Sequence, residues 1–231
     1  MVVKQKKVRK ILTSKIRQLY DIVADIDTLL VEMETEFYRV CIFGSARIGE
    51  DSEIYRQVEA LAEALAREGT DIVTGGGPGL MEAANKGAKA GSHGSWSIGL
   101  PIELPFEADA NSHLDVKNLH RRFSSRLDEF MRITHAVIVV PGGIGTLLEL
   151  FYTWQLMQVH HIRPRPFLLF ATDDTWTTFL DWLRAYPLKQ NLMSVTDFDF
   201  VKVVSSVEEV VQILGPDIQR FRLENKPKPV P

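Results

Sequence analysis

The sequence predicts an α/β fold: a parallel sheet doubly wound, with helices on both faces. Three observations predict it. From Tyr38 onward, short apolar runs alternate with helical stretches. Several of those runs end in glycine, at Gly44, Gly75 and Gly142. The intervening stretches have the length that carries a chain back over a parallel sheet.

The elements follow in order. Residues 4–36 read as one long helix without Gly or Pro. Leu12, Ile16, Leu19, Val23, Ile26, Leu30 and Met33 recur at alternating steps of four and three, the seam of a helix lying along a partner. Lys4, Lys6, Lys7, Arg9, Lys10, Lys15 and Arg17 make its first half basic, and Asp21, Asp25, Asp27, Glu32, Glu34 and Glu36 make its second half acidic. A basic arm could touch a phosphate backbone or an anionic membrane. The stripe runs through both charge blocks, however, so the reading is a helix packed on the body or on a second subunit.

Residues 38–43 read as a strand, 52–68 as a helix with Val58, Leu61, Ala62 and Leu65 on one face, and 71–74 as a strand entering Gly75-Gly76-Gly77-Pro78-Gly79. A helix over 80–90 and a strand over 95–100 come next, closed by Pro101. Residues 104–118 read mostly as loop. A helix over 119–134 and an apolar strand over 135–140 lead into Pro141-Gly142-Gly143-Ile144-Gly145-Thr146, then a helix to about 159. A strand over 167–170 and helices over 176–185 and 207–214 close the series. The domain reading is an N-terminal helix over 1–37, a Rossmann-like nucleotide-binding catalytic domain over 38–221, and a tail over 222–231 ending in a Pro/Lys stretch.

Composition bounds the function. The chain has 231 residues, enough to bury a core without disulfides or metal. Lys+Arg number 27 and Asp+Glu 30, a net charge of −3, which argues against a basic nucleic-acid coat and an acidic disordered chain. Cys41 is the one cysteine, so neither an internal disulfide nor a CxxC metal site is available. It sits on the first core strand and reads as a buried, inert thiol. No apolar run approaches the ~20 residues that span a bilayer, and the basic N-terminus lacks the apolar stretch of a secretory signal. The expectation is a cytoplasmic globular protein. His93, His113, His120, His135, His160 and His161 show no metal spacing with an acid partner, so no metal and no cofactor are expected.

Chemistry in such sheets sits at the carboxyl ends of the strands. Three of those ends carry glycine here: Gly44-Ser45, Gly75–Gly79 and Gly142–Gly145. Glycine permits close backbone approach, and a loop feeding a helix N-terminus offers unpaired N–H groups to an anion. Thr146 adds a hydroxyl there. Together these predict a nucleotide or sugar-phosphate site. GxxxxGK[ST] is absent, so the chain is not a P-loop NTPase. The dinucleotide fingerprint would need glycine where Leu80 and Leu148 stand. Glu149 lies one turn into the helix after the last glycine loop. Arg126 lies on the helix preceding the same strand, among Arg121, Arg122 and Arg132.

The stretch Pro141–Glu149, PGGIGTLLE, preceded by an Arg-bearing helix and by GGGPGLMEAANKGA over Gly75–Ala88, resembles the LOG (Lonely Guy) family. Its members are cytokinin riboside 5′-monophosphate phosphoribohydrolases, many under the older label lysine decarboxylase-like. The resemblance covers Tyr38 to Leu214, and the long loop with the added N-terminal helix resembles the longer-chain subtype. It implies catalytic roles for Arg126 and Glu149. It implies a phosphate cradle of Gly142, Gly143, Gly145 and Thr146, with Gly44, Ser45, Gly76 and Gly77 beside the nucleotide. It also implies a homo-oligomer built from dimers. The short-form family commonly has Arg-Lys where Leu127 follows Arg126, and two acids where the first position is Leu148. That second departure bears on ribose recognition and on the preferred base.

The implied reaction is hydrolysis of the N-glycosidic bond of an adenosine-type 5′-monophosphate, with or without an N6-prenyl group, to free base and ribose 5-phosphate. The first rival is a non-catalytic nucleotide or molybdenum-cofactor carrier. The second is a literal decarboxylase, which needs a buried Schiff-base lysine; Lys86, Lys89 and Lys117 near the glycine loops read as surface residues. The third is an interaction protein acting through the basic arm. Phe151, Trp154 and Met157, recurring at steps of three, read as core or subunit contact, and Trp176 and Trp182 read as packing.

Overall fold

The structure, a computed structural model, describes residues 11–20, 22, 23, 26, 37–103 and 110–225. It divides into two compact units, residues 1–36 and 37–231. In the first, residues 11–20, 22, 23 and 26 are helical, and Leu12, Ile16, Leu19, Val23 and Ile26 of the expected stripe are exposed. The rest of the helix expected over 4–36 lies outside the described residues, as does the Pro/Lys stretch 226–231.

The second unit runs β1 (Tyr38–Phe43), α1 (Glu53–Arg67), β2 (Thr70–Thr74), α2 (Leu80–Gly91), β3 (Ser97–Gly99), β4 (Val116–Lys117), α3 (Phe123–Ile133), β5 (Ala136–Val139), α4 (Ile144–Gln158), β6 (Phe167–Phe170), α5 (Thr175–Leu183), β7 (Lys202–Val204) and α6 (Val207–Glu224). The seven strands are parallel, in the order β4-β3-β2-β1-β5-β6-β7. Val40 of β1 pairs with Ile72 on one side and Ala136 on the other. The crossovers after β1 and β5 leave in opposite directions, so the sheet has its switch point between these two strands.

The central strands are buried on both faces, which is why they read as unbroken apolar runs. Alternation along β1 divides the core. Val40 and Ile42 join Val58, Leu61 and Leu65 of α1, Ala84 of α2, and Val210, Leu214 and Ile218 of α6. Phe43 points the other way, edge-on to Phe130 of α3 at 4.9 Å, and on that side Trp154 of α4 meets Phe167 of β6 at 6.5 Å. The doubly wound, Rossmann-like reading is therefore correct.

α1 and α2 pack backbone to backbone. A Cβ added at Gly87 would lie 2.0 Å from the Glu59 carbonyl oxygen, and one at Gly91 would lie 2.2 Å from that of Glu63. Any side chain there forces the helices apart.

Several element boundaries differ from expectation. β4 falls within the stretch 104–118 expected to be mostly loop, and β7 in a stretch for which no element is expected, because short edge strands carry little apolar signal. The helix expected from 119 starts at Phe123; residues 119–122 are non-helical, with His120 bridged to Ile102 and its N–H donated to the Pro101 carbonyl. The last helix does not stop at Leu214. It runs through Gly215-Pro216 to Glu224, because Val210, Leu214 and Ile218 bury one continuous face. Trp176 is buried as expected, but Trp182 is 58% exposed.

At the amino end of β5, His135 stacks on Tyr38 at 4.9 Å and meets Phe221 of α6 at 4.7 Å. Its Nδ1 accepts the Arg39 N–H at 2.9 Å. Burial, with Arg165 and Arg39 nearby, pushes its pKa down to about 4.

Candidate active site

The three glycine loops meet at the carboxyl ends of β1, β2 and β5. The Ser45 N–H donates to the Pro141 carbonyl at 3.1 Å, joining the β1 and β5 loops. The Leu80 N–H donates to the Ser45 carbonyl at 2.8 Å, bringing in the β2 loop. Gly79 makes this approach possible: φ is +71°, and a Cβ there would lie 2.4 Å from the Ser45 carbonyl oxygen.

The β5 loop ends at Gly143, the N-cap of α4, which has no side-chain cap. Gly142, Gly143, Ile144 and Gly145 are exposed, while Thr146 is buried. The first amides of α4 therefore face solvent at the carboxyl end of β5, the arrangement that seats an anion. A Cβ on Gly142 would lie 2.1 Å from Thr146 Oγ1, whereas Gly143 and Gly145 have nothing within 4 Å. Gly44 is buried, and Ser45 Oγ accepts the Arg47 N–H at 3.1 Å.

Arg126 and Glu149, read 23 residues apart in the sequence, converge from α3 and α4. Each is 9% exposed. Arg126 Nη1 donates to Glu149 Oε1 at 3.3 Å, and Arg126 Nε donates to the Leu100 carbonyl at 2.6 Å. The guanidinium also lies over the Phe130 ring, 5.2 Å from its centroid. Its Nη2 faces Gly75, where an added Cβ would stand 2.3 Å away. The glycine thus leaves room for the guanidinium. A charged pair this shaded from water interacts more strongly than a surface pair, and its planar fork has donors left for a ligand.

Three contributors were not foreseen. Thr74 Oγ1 accepts the Gly76 N–H at 2.9 Å and donates to Asn85 Oδ1 at 2.7 Å. Asn85 Nδ2 donates to Ser97 Oγ at 2.9 Å. Asn111 Nδ2 reaches Asn85 Oδ1 at 3.0 Å and the Gly77 carbonyl at 2.9 Å, while the Asn111 N–H donates to the Gly76 carbonyl at 2.9 Å. This buried network holds Gly76, where φ is +73°, and Gly77. One signal was available in the sequence: Asn85 is a lone amide on the alanine-rich face of its helix.

Other candidates fall elsewhere. Arg121 pairs with Glu103 at 3.3 Å on the surface, Arg122 is the exposed N-cap of α3, and Arg132 pairs with Glu129 at 2.7 Å. Lys86 pairs with Glu59 at 3.1 Å, Lys89 pairs with Asp115, and Lys117 is exposed. Cys41 is buried, which pushes its thiol pKa up. Trp154 and Met157 are in the core, whereas Phe151 is 43% exposed. Among the described residues no three His, Cys, Asp or Glu side chains converge as metal ligands, and no helix is long and apolar enough to cross a membrane.

Residues 81–214 match the family model described as possible lysine decarboxylase, more than half of the chain. Over 158 residues the chain is 30% identical to a probable cytokinin riboside 5′-monophosphate phosphoribohydrolase of Oryza sativa subsp. japonica, covering 64% of this chain and 60% of the rice protein. Over 119 residues it is 33% identical to a pyrimidine/purine nucleotide 5′-monophosphate nucleosidase of Escherichia coli, covering 49% of this chain and 26% of that one. Against a cytokinin riboside 5′-monophosphate phosphoribohydrolase of Arabidopsis thaliana the identity is 30% over 160 residues, covering 65% and 71%. Among solved structures, the molybdenum cofactor binding protein of Rippkaea orientalis superposes with a TM-score of 0.58 at 21% identity, covering 79% of this chain and 98% of that one. The molybdenum cofactor carrier protein of Chlamydomonas reinhardtii gives 0.57 at 20% identity, covering 78% and 97%. At those identities the superpositions speak for a shared fold alone.

Proposed function

Because the chain belongs to the possible lysine decarboxylase family, the LOG family, we propose that it hydrolyses the N-glycosidic bond of nucleoside 5′-monophosphates, releasing free base and ribose 5-phosphate. The observation that carries the reading is the buried Arg126–Glu149 pair, set beside an uncapped helix N-terminus at the switch point of the sheet. The named activities of the rice, Arabidopsis and Escherichia coli relatives support it.

The residues divide the work as follows. The exposed amides from Gly142 to Gly145, with the Thr146 hydroxyl, seat the 5′-phosphate. That remote contact supplies binding energy that is spent at the sugar. The C1′–N bond breaks with its electron pair leaving on the base, and positive charge grows at C1′. The Glu149 carboxylate stabilises that charge or orients the incoming water. Water oxygen bonds to C1′, and the proton it loses ends on the departing base. Arg126, fixed by the Leu100 carbonyl, holds Glu149 in place and offers its remaining N–H donors to phosphate or ribose oxygens. The base is adenine or an N6-substituted adenine in this reading, consistent with the cytokinin substrates named for the plant relatives.

Decarboxylation would call for a buried lysine. Lys86, Lys89 and Lys117, beside the glycine loops, are at the surface, and the first two are ion-paired. The active form is proposed to be a homo-oligomer, supported by the apolar side chains of Ile144, Leu148 and Phe151 that α4 leaves exposed.

The test is product analysis by chromatography with AMP, adenosine, GMP, CMP and N6-prenylated AMP. Adenine from AMP, with adenosine a poor substrate, is the expected result. Glu149→Gln should lower turnover several hundred-fold, about the effect of losing a major transition-state contact. Full turnover in a folded Glu149→Gln protein would refute the assignment.

A further inference from the structure

Arg126 and Glu149 stand on different helices, so their alignment depends on how α3 and α4 are locked together. Among the described residues a second polar tie joins the same two helices: the Tyr152 hydroxyl donates to Asp128 Oδ1. Tyr152 lies one turn after Glu149 on α4, and Asp128 two residues after Arg126 on α3.

The spacing matters. Two residues along an α-helix correspond to a turn of about 200°, so Arg126 and Asp128 project from nearly opposite sides of α3. Arg126 is buried toward the Leu100 carbonyl, and Asp128 is exposed. α4 therefore holds α3 from two sides, by Glu149 within and by Tyr152 without. Leu127, Phe130, Met131 and Ile133 bury the inner face of α3, and the two polar ties add to that packing in opposing a roll of the helix about its axis.

The supporting contacts are uneven. The Arg126–Glu149 bond is long at 3.3 Å, and the N-terminus of α3 has no side-chain cap. Tyr152 is half-buried and lines a groove of about 490 Å³ with Leu148, Phe151, Trp154 and Leu192. Burial and the Asp128 carboxylate push the Tyr152 hydroxyl up to about 12, so it stays a proton donor at any working pH.

We propose that Tyr152 and Asp128 are positioning residues that clamp α3 to α4 and hold the Arg126–Glu149 pair in its reactive alignment. The proposal rests on the phosphoribohydrolase reading. It adds residues outside the glycine-loop motif, on a contact between side chains 24 residues apart.

The experiment is a double-mutant cycle on the full chain, read as kcat and KM for AMP well below each variant's thermal midpoint. Tyr152→Phe keeps the ring and should lower kcat about tenfold, the scale of a sub-ångström misplacement, with KM little changed. Asp128→Ala should do the same, and the double variant should lose no more than either alone. Asp128→Asn, which keeps an acceptor oxygen, should recover most of kcat. An unchanged kcat in Tyr152→Phe, additive losses, or a fall in thermal midpoint without a fall in kcat would overturn the clamp. Base release by the wild type separates the two claims. If the wild type is active and the cycle is flat, the clamp alone fails; if the wild type releases no base from any monophosphate, the functional reading fails and the clamp with it.

Discussion

Gly75→Ala should disable the site while leaving the fold nearly intact. The new methyl would stand 2.3 Å from Arg126 Nη2 and 2.7 Å from Met81 Sδ, whereas ordinary contact begins at 3.4 Å. The thioether can swing aside cheaply. The guanidinium has less freedom, since its Nε is tied to the Leu100 carbonyl at 2.6 Å and its plane lies over Phe130. Its outer end must retreat by about 1 Å, which carries Nη1 out of hydrogen-bond range of Glu149. A misplacement of about 1 Å costs about 10²-fold in rate. The backbone raises no objection, because Gly75 is not among the positive-φ glycines. Expected stability loss is about 1–3 kcal/mol, the range of modest overpacking. The assay is base release from AMP over a range of concentrations, with thermal unfolding alongside. The expected result is a kcat about 100-fold lower and a thermal midpoint a few degrees lower. Gly215→Ala serves as the control, since its Cβ meets nothing within 4 Å. Wild-type kcat in Gly75→Ala would show that the rate does not depend on where this guanidinium sits.

Other perturbations have equally definite outcomes. His135 has a pKa of about 4 in the fold against the ordinary histidine value of 6.5, so the unfolded chain binds more protons between those values. Its contribution is fully present above pH 6.5 and is lost as pH falls toward 4, about 2 kcal/mol of it by pH 5. Urea unfolding of wild type and His135→Gln at pH 7 and pH 5 measures this, and equal slopes for the two proteins would refute it. Asn85→Ala empties the centre of the Thr74–Asn111 network; a loss of about 2–3 kcal/mol in chemical unfolding is expected, together with a higher KM for AMP. Gly87→Ala drives a methyl into the Glu59 carbonyl and should cost about 3 kcal/mol, whereas a midpoint equal to wild type would mean that α1 and α2 can slide apart freely.

What could be read from the sequence follows the range over which each signal acts. The inner strands declared themselves, because burial on both faces leaves continuous apolar runs such as AVIV at Ala136–Val139. PGGIGTLLE was legible because its glycines, its Thr146 and its Glu149 are set by one loop and one turn of helix. β4, with two residues, and β7, with three, lie at the sheet edges and carry no such run. Gly215-Pro216 resembled a helix end, and only the buried face through Ile218 shows otherwise. Tyr152–Asp128 and Asn85–Asn111 depend on side chains brought together from afar. Nothing in the local spacing marks such pairs.

The contact between α1 and α2 has a consequence at the other end of α2. Leu80, whose amide is hooked to the first-strand loop, heads the same rod that Gly87 and Gly91 press against its neighbour. From 80 to 87 that rod is about 10 Å long, so a shim at its rear becomes a tilt at its tip. Two positions that touch no substrate thus set the alignment of the mouth, and change should be better tolerated on the outer flank of α1 than at this seam.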